Sequence, residues 1–477
     1  MTTLEFVENP QIYNRGDNSI VLFPAKPYWF SATKEISCIL EAFKLVASDL
    51  IVANISSSLG VAIGNAQEIF DDVSGMLFSS GVLAIDGQLA AAKEYSPDYQ
   101  VNDVENVMVI ATTQQCNLTC PMCYASAKRK MPGEMTTDQI KGIIDQLADM
   151  SWQNNVSRVA LTGGELFLRP DAIELIEYVQ QRGFFAQVNS NATLLTSSHV
   201  DRLSKIKRLK MSVSLDGCKR SSHEAIRGAG TYDVTVKNIR SLCKRGVSVA
   251  INMFIHADNI DEIGGTLGLA DSLGAQGFNC LNMMNVGRGN SQKTKQLLTE
   301  VPLAIYYRKI FETIRNNQRF QELMMGSTFA NQIMGIAGGV KSHGCGLGTN
   351  RAVYIKADGT LYPCADTALP AFVLGKLTTD SLSDIWKNSP VLKELRTLNI
   401  DTMNEKCSAC DVRYWCAGNC RGENYQTTKN IKSPHFKCEQ IHDSVLELMW
   451  ILTEDPELFK CKVDKLYETV STHASTA

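Results

Sequence analysis

The feature that most constrains this chain is a triplet of closely spaced cysteines, Cys116, Cys120 and Cys123. Their C-x3-C-x2-C spacing directly follows an apolar segment. Three thiolates this close together can hold three irons of a [4Fe–4S] cube and leave the fourth iron without a protein ligand. A zinc knuckle lacking its fourth ligand is one alternative, because structural zinc sites use four ligands, and chance is another. The spacing favours a cluster whose open iron binds another molecule.

Composition places this triplet in an ordinary globular protein. The chain has 477 residues, 44% of them hydrophobic and 20% charged, which suggests about three domains. A net charge of −3 gives no general attraction to nucleic acid or to an acidic bilayer. No apolar run approaches the roughly 20 residues of a membrane span, and the first residues lack the pattern of a signal peptide. We therefore expect a cytoplasmic protein without a nucleic-acid or membrane partner.

The number of cysteines also argues for metal ligation. The chain has 15 cysteines, and structural disulfides are rare in the cytosol. Ten of them fall in two spaced sets, so metal or cluster binding is the expected use. The other five are isolated and are expected to be mostly small buried hydrophobic residues. They are Cys38, Cys218, Cys243, Cys280 and Cys461.

Residues 107 to about 290 alternate apolar strand patterns with amphipathic helix patterns. The predicted strands are 107–111, 156–161, 185–188, 210–215, 247–255 and 277–284, and the predicted helices include 136–150, 171–182 and 232–244. Such repetition predicts an α/β fold with a parallel sheet and right-handed crossovers. The polar and glycine-rich motifs follow the strands, at the edge where such sheets place their active sites.

The cysteine triplet on the first loop of this repeat, with Met122 before its last cysteine and Tyr124 after it, resembles the signature of the radical SAM superfamily. The resemblance implies a partial (β/α)6 TIM-type barrel. It also implies that the open iron binds S-adenosylmethionine (SAM). Reductive cleavage of SAM then yields a 5′-deoxyadenosyl radical, which abstracts hydrogen.

Motifs at later strand ends carry the same resemblance. In that family the Gly-Gly-Glu loop holds the methionine amino group of SAM, and an arginine pairs with the SAM carboxylate. The segment that corresponds to 189–191 contacts the nucleoside. The serine of the Ser-Leu-Asp-Gly motif contacts the ribose. A simple turn is the alternative for 189–191, and a surface arginine at a helix end for Arg227. The segment 287–289 resembles a motif of another subgroup. The implied SAM contacts are Tyr124, Gly163, Gly164, Glu165, Asn189, Asn191, Ser214 and Arg227.

A second set of seven cysteines resembles the SPASM pattern of radical SAM enzymes that modify peptides and proteins. The set is Cys345, Cys364, Cys407, Cys410, Cys416, Cys420 and Cys438, with Gly359 before the second member. The resemblance implies two auxiliary [4Fe–4S] clusters, for a total of three clusters with SAM. By analogy Cys345, Cys364 and Cys420 hold the first auxiliary cluster, and the other four cysteines hold the second. A pair of zinc ribbons is the alternative.

Seven thiolates for two cubes leave one iron without a cysteine. We hypothesise that this iron belongs to the first auxiliary cluster and that it takes a substrate thiolate or a non-cysteine ligand.

The N-terminal region, residues 1–95, is predicted to be a small winged-helix-like α+β domain. Its predicted elements are a strand at 21–23, helices at 31–46, 51–59 and 67–79, and a closing strand at 81–83. Four basic and ten acidic residues over positions 1–90 argue against DNA binding. The region resembles the PqqD-like recognition element, which binds a leader peptide as an added strand.

The predicted organisation is a recognition element over 1–95, a radical SAM partial barrel over 96–300, a helical bridge over 301–344, a cysteine-rich SPASM domain over 345–440, and a C-terminal helix and tail over 441–477. The resemblance implies an enzyme that crosslinks a ribosomally synthesised precursor peptide with electrons from a donor of the flavodoxin or ferredoxin type.

We expect the crosslink to be a thioether between a cysteine sulfur and a carbon, because an open auxiliary iron favours it. Carbon–carbon crosslinking or another maturation is the enzymatic alternative. An iron–sulfur electron carrier or redox regulator is the non-enzymatic one. No residue stands out as a catalytic acid or base.

Overall fold

This structure is a computed structural model, and it describes residues 4–33, 36, 40, 43, 48–90, 106–149, 156–339, 341–347 and 352–459. Cys38, Cys461 and most of the predicted tail lie outside these residues. Within the described residues, each helix is too short or too polar to cross a membrane.

Where the structure gives the bounds of its elements, the N-terminal unit combines two small antiparallel sheets with two helices. Its elements are β1 (Leu4–Phe6), β2 (Gln11–Arg15), β3 (Asn18–Phe23), β4 (Tyr28–Thr33), α1 (Ser48–Leu59), α2 (Ile63–Ser79) and β5 (Leu83–Ile85). Strands β2, β3 and β4 form one sheet, and β1 pairs with β5. Alternation along β3 buries both faces of this sheet: Val21 and Phe23 face the core of the unit, whereas Ile20 and Leu22 join the main core of the protein.

One prediction for this unit is wrong at its start. Ser31, expected to cap a helix over 31–46, instead belongs to β4 and pairs with Ile20. The preceding Tyr28, Trp29 and Phe30 are aromatic, which favours a strand. The remainder of that predicted helix lies largely outside the described residues. The predicted closing strand is displaced, because β5 begins at Leu83.

The central region is the predicted partial barrel. Its strands are β6 (Asn106–Ala111), β7 (Val156–Thr162), β8 (Phe185–Ser190), β9 (Leu209–Ser214), β10 (Ser248–Phe254) and β11 (Gly277–Leu281). Each is parallel to the next in chain order. The helices are α3 (Thr137–Asp149), α4 (Ala172–Gln181), α5 (Ser197–Leu203), α6 (Arg220–Arg227), α7 (Thr231–Lys244) and α8 (Ile263–Leu273). In α3 the buried Ile140, Ile143, Ile144 and Leu147 have the spacing of one helix face.

Four helices follow the barrel: α9 (Gln292–Leu297), α10 (Leu303–Ile314), α11 (Gln318–Met324) and α12 (Thr328–Ala337). Three of them lie within 301–344, the range predicted as a helical bridge, and α9 precedes it.

The cysteine-rich region continues the barrel sheet. Its elements are β12 (Ala352–Ile355), β13 (Thr360–Tyr362), β14 (Gly375–Lys376), α13 (Leu382–Asn388), α14 (Pro390–Leu395), α15 (Glu405–Ser408), α16 (Arg413–Cys416), α17 (Arg421–Thr428) and α18 (Cys438–Glu454). Strand β12 pairs in parallel with β6, and β13 and β14 add antiparallel strands beyond it. The described residues therefore place nine strands in one sheet that spans both regions.

Candidate functional site

The loop that carries the cysteine triplet begins where β6 ends and is held by the neighbouring Gly-Gly-Glu turn. The amide of Gly164 donates to the Thr113 carbonyl at 2.7 Å, and that of Glu165 to the Gln115 carbonyl at 2.8 Å. A Cβ atom on Gly163 or Gly164 would collide with the backbone of this loop. The two glycines are therefore required for contact between the two loops, in addition to any approach to a ligand.

A segment after β11 holds the other side of the cysteine loop. The Arg288 backbone amide donates to the Cys123 carbonyl at 3.0 Å, and its side chain donates to the carbonyls of Cys120 at 2.9 Å and Ala127 at 2.8 Å. Gly287 has a φ of 55° and lies so close that a Cβ atom would collide with the Tyr124 carbonyl. Sequence reasoning gave this Gly-Arg-Gly segment little weight, although it fixes the backbone of two of the three cysteines.

Glu165 and Asn191 connect the same loop to the end of β8. The Glu165 carboxylate accepts hydrogen bonds from the Ser190 hydroxyl at 2.8 Å and the Asn191 amide at 2.9 Å. Burial raises the pKa of Glu165, and these hydrogen bonds oppose that rise. The Asn191 side chain donates to the Asn117 side chain, within the cysteine loop, at 3.0 Å. The Glu165 side chain thus joins the Gly-Gly-Glu turn to the end of β8, and the Asn191 side chain joins that strand end to the cysteine loop.

Arg227, at the end of α6, lies beside Cys120. Its Nη1 atom is 3.7 Å from the Cys120 sulfur. Burial disfavours the charge of Arg227, but Asp216 and Cys120 outweigh it and raise its pKa. Burial likewise raises the pKa of Cys120, while the charge of Arg227 lowers it. A fixed cation beside a thiol stabilises the thiolate, which is the form that binds iron.

The structure brings the other predicted SAM contacts to the same edge of the sheet. Asn189 lies at the end of β8 and Ser214 at the end of β9. Tyr124 is 40% exposed. Desolvation raises the pKa of its hydroxyl to about 12, with contributions from the charges of Cys123 and Asp366, while a Thr162 side-chain hydrogen bond opposes that rise. Tyr124 directly follows the last cysteine of the loop, and the charge of Asp366 in the cysteine-rich region acts on its hydroxyl.

The residues of this loop supply thiol donors of the kind that hold an iron–sulfur cluster. Within the described ranges, no group of three or more His, Cys, Asp or Glu side chains is placed to hold one metal ion. Three thiols on one loop are the donor set that a cube requires. Burial raises the pKa of Cys116 to about 11, although the Leu118 amide donates to its sulfur at 3.4 Å and favours the thiolate.

The second cysteine set divides into two groups. Burial raises the pKa of Cys420, and the nearby Asp366, Cys364 and Cys345 raise it further. Burial raises the pKa of Cys416 to about 11, with contributions from Cys407 and Cys438. Burial also raises the pKa of Cys410 to about 12, partly through the charges of Cys416 and Cys438. These interactions join Cys345, Cys364 and Cys420 in one group, and Cys407, Cys410, Cys416 and Cys438 in the other.

Arg421, which sequence reasoning missed, lies between these two groups. Its charge acts on Cys345 and Cys420 of one group and on Cys407 and Cys416 of the other, while burial lowers its pKa. Its Nη1 atom donates to the Ser433 carbonyl at 2.7 Å. A guanidinium keeps its charge even when buried, so Arg421 supplies positive charge to both thiol groups. An arginine directly after a cysteine of the set was the available signal.

The isolated cysteines in the described residues lie in packing positions away from the two cysteine sets. Cys280 is 2% exposed and Cys243 is partly buried. The Cys218 thiol lies 3.6 Å from a Glu262 oxygen, and the same carboxylate accepts from the Ser222 hydroxyl at 2.5 Å. This arrangement joins α6 to the start of α8.

Comparison with known proteins agrees with this geometry. The family model for the radical SAM superfamily matches residues 110–270, and the SPASM model, an iron–sulfur cluster-binding domain, matches residues 345–411. The first match covers the cysteine loop and strands β7 to β10. The second covers four of the seven later cysteines.

Three curated relatives match over about two thirds of this chain. The AdoMet-dependent heme synthase of Methanosarcina barkeri is 30% identical over 335 residues, covering 66% of this chain and 91% of that protein. The mycofactocin maturase MftC of Mycobacterium tuberculosis is 28% identical, covering 69% and 82%. The subtilosin biosynthesis protein AlbA of Bacillus subtilis is 28% identical, covering 70% and 71%.

Solved structures share the fold. The Streptococcus suis protein SuiB, bound to its precursor peptide SuiA, superposes with a TM-score of 0.53 and 15% identity, covering 91% of this chain and 98% of that one. The anSMEcpe protein with bound AdoMet and a peptide superposes with a TM-score of 0.59 and 15% identity, covering 76% and 99%. These matches agree with the motifs at the strand ends and with the two cysteine groups of the C-terminal region. The chain belongs to the radical SAM superfamily and carries a SPASM iron–sulfur cluster-binding domain.

Proposed function

We propose that this protein is a radical SAM maturase that modifies a ribosomally synthesised precursor peptide in the cytoplasm. The observation that carries the proposal is the attachment of the N-terminal unit to the cysteine-rich region. The Tyr13 hydroxyl donates to Asp411, next to Cys410, and Arg15 pairs with Glu447 at 2.7 Å. The Trp29 indole donates to the Ile336 carbonyl at 3.2 Å. These contacts hold a small sheet beside the second thiol group.

In this proposal the N-terminal unit is a PqqD-like recognition element that binds the leader peptide. Within the described residues β4 is an edge strand, since its recorded pairing is with β3. The opposite edge strand, β2, carries the side chains that contact the cysteine-rich region. A peptide can therefore add to β4 through backbone hydrogen bonds. The acidic balance of residues 1–90 favours a leader with basic residues.

Two comparisons support peptide recognition. The SuiB superposition leaves 9% of this chain unmatched, less than the N-terminal unit alone contributes, so part of that unit has a counterpart there. Among the curated relatives, one is named a maturase and one a bacteriocin biosynthesis protein.

We assign the SAM-binding cluster to Cys116, Cys120 and Cys123. The implied contacts to SAM are Tyr124, Gly163, Gly164, Glu165, Asn189, Asn191, Ser214 and Arg227. When bound, the cluster and SAM supply the 5′-deoxyadenosyl radical that abstracts hydrogen from the peptide. The residues of this chain hold the loop between two neighbouring segments, and Arg227 stabilises the Cys120 thiolate.

We assign the two auxiliary clusters to the two thiol groups of the cysteine-rich region. The group of Cys345, Cys364 and Cys420 leaves one iron position without a cysteine of that set. A position open to a peptide thiolate favours a sulfur-to-carbon thioether as the product, with carbon–carbon crosslinking as its enzymatic rival. Electrons for the reaction come from a donor of the flavodoxin or ferredoxin type.

The decisive experiment has two steps: a search of the DNA beside the gene for a short open reading frame that encodes cysteine, and anaerobic incubation of its peptide with SAM and the reduced, cluster-loaded protein. We expect 5′-deoxyadenosine, and a peptide that has lost two hydrogen atoms and one alkylatable thiol. The Cys123→Ala variant should form neither product. A peptide that loses the hydrogens but keeps every thiol would indicate carbon–carbon crosslinking.

A tetrapyrrole substrate is the second candidate, because the heme synthase relative is 30% identical. Formation of 5′-deoxyadenosine with an iron porphyrin precursor, and not with the peptide, would favour that reaction over peptide maturation.

A further inference from the structure

We propose that the carboxylate of Asp366 is the fourth protein ligand of the iron–sulfur site formed by Cys345, Cys364 and Cys420. This inference rests on the proposed first auxiliary cluster, but not on the identity of the peptide or of its crosslink. It assigns an oxygen donor of this chain to the iron position that the seven cysteines leave unfilled.

The position of Asp366 supports this role. It is two residues after Cys364, in a short 3₁₀ turn over Ala365–Thr367. One of its carboxylate oxygens, Oδ2, lies 3.4 Å from the sulfur of Cys420. The Asp366 carboxylate thus lies beside the Cys420 thiol, and its charge also acts on the Cys364 thiol of the same group.

Helix α17 holds the backbone of Asp366 close to Cys420, the residue that precedes the helix. A Cβ atom on Gly422 would lie 2.7 Å from the Cβ atom of Asp366, so the absence of a side chain there permits the approach. The side chain of Gln426 donates to the Asp366 carbonyl at 2.9 Å. These two contacts leave the carboxylate itself uncommitted.

The charge of Asp366 has no other compensation in the described part of the chain. The recorded partner of its carboxylate there is the thiol of Cys420, and no basic side chain pairs with it. Asp366 is half-buried, and a carboxylate that is partly removed from water without a cation is costly. An iron site supplies the missing positive charge.

Glu423 provides the contrast. Its carboxylate accepts from the Asn285 amide at 2.9 Å and lies 3.5 Å from the Lys437 ammonium. It is therefore occupied, whereas Asp366 is free to bind metal. Iron accepts carboxylate ligands, but iron–sulfur sites favour softer thiolates, so an oxygen ligand marks the position that a substrate thiol takes most readily.

The test uses the full chain with Cys116, Cys120 and Cys123 changed to alanine, so that the auxiliary sites remain. Protein is labelled with aspartate carrying 13C in its side-chain carboxyl group, reconstituted and reduced, and the 13C coupling to the cluster spin is measured by electron–nuclear double resonance. We expect a coupling that disappears in Asp366→Ala and persists in Asp384→Asn, a control that removes an exposed carboxylate on α13.

Further variants keep the assignment falsifiable. If the Asp366→Ala variant does not bind iron, the Asp366→Asn variant is measured in its place. The Asp366→Cys variant should bind as much iron as the parent and should lack the 13C coupling. A coupling that survives in Asp366→Asn, or that is absent from a parent loaded with two auxiliary clusters, would overturn the assignment. An iron content that corresponds to one auxiliary cluster would also overturn the assignment, because the assignment requires two auxiliary clusters. Failure of the unaltered protein to modify any peptide, while the labelled triple variant shows the coupling, would contradict the proposed function and support the ligand.

Discussion

Asp216 and Arg227 form a buried ion pair that lies against Cys120. Arg227 donates from Nε to one carboxylate oxygen at 2.5 Å and from Nη2 to the other at 3.3 Å. The side chain of Asp216 is 0% exposed and that of Arg227 15%. Because two nitrogens of the guanidinium face Asp216, Nη1 is the nitrogen that faces the cysteine loop, where a SAM carboxylate is expected.

Asp216→Asn should strongly destabilise the protein. The change leaves a buried guanidinium without its partner, and breaking such a pair typically costs about 3–5 kcal/mol. Anaerobic urea denaturation and cluster content measure the loss. Asp233→Asn is the matched control, because Asp233 pairs with Arg220 on the surface, with 66% and 53% of the side chains exposed. That pair should contribute about 0–1 kcal/mol, and equal losses in both variants would contradict the prediction.

Gly164→Ala should prevent the cysteine loop from holding its cluster. The new Cβ atom would collide with the Gln115 carbonyl, and rigid backbone cannot yield as a side chain can. Iron content and 5′-deoxyadenosine formation should both fall at least about tenfold, which corresponds to roughly 1.4 kcal/mol. Gly142→Ala in α3 meets open space and should leave both values unchanged or raise stability by up to about 1 kcal/mol.

His223 should make stability depend on pH. Burial lowers its pKa to about 4, and its Nδ1 atom accepts from the Asp216 amide at 3.2 Å. The unfolded chain therefore binds more protons between about pH 4 and 6.5, so stability is complete above this window and falls as the pH drops through it. The slope from this residue approaches about 1.4 kcal/mol per pH unit.

His223→Asn keeps an acceptor and removes the titration. Urea denaturation at about pH 5 and about pH 7 should show a smaller difference in this variant than in the parent. The same difference in both proteins would exclude His223 as the source.

Tyr13→Phe should loosen the N-terminal unit without affecting the barrel. It removes the hydroxyl that donates to Asp411, a contact that typically contributes about 1 kcal/mol. We expect faster proteolysis of the N-terminal unit and weaker binding of the precursor peptide. Cleavage of SAM in the absence of peptide should be unchanged, and a variant with normal peptide affinity but slow SAM cleavage would contradict the proposed recognition role.

Much of the fold could be predicted from sequence because strand and helix periods in the barrel are regular. The predicted strand over 107–111 differs from β6 by one residue at its start, and the predicted helix over 171–182 extends one residue beyond α4 at each end. The N-terminal unit was harder, because Ser31 before an amphipathic pattern predicts a helix cap whereas the aromatic residues that precede it favour a strand. Pairing with Ile20, a contact distant in sequence, decided the strand at Ser31.

The site shows a similar limit. Spacing located the cysteines and the strand-end motifs, but it could not show that Gly163 and Gly164 contact the cysteine loop itself. Arg288 was given little weight and Arg421 was missed, because their partners are distant in sequence. The fold brings backbone carbonyls to Arg288 and thiols to Arg421. Asp366 likewise belongs to no sequence motif, and only the short distance from its carboxylate to the Cys420 sulfur indicates a role.

The parallel pairing of β12 with β6 has a consequence for how a substrate reaches the chemistry. Ile355 pairs with Ile110, one residue before β6 ends, and the cysteine loop follows that end. The cysteine loop and the cysteine-rich region are thus attached to one hydrogen-bonded sheet. Strand geometry, and not a hinge, therefore sets the distance between them. For the proposed peptide substrate, this fixed separation predicts selection by length and bulk.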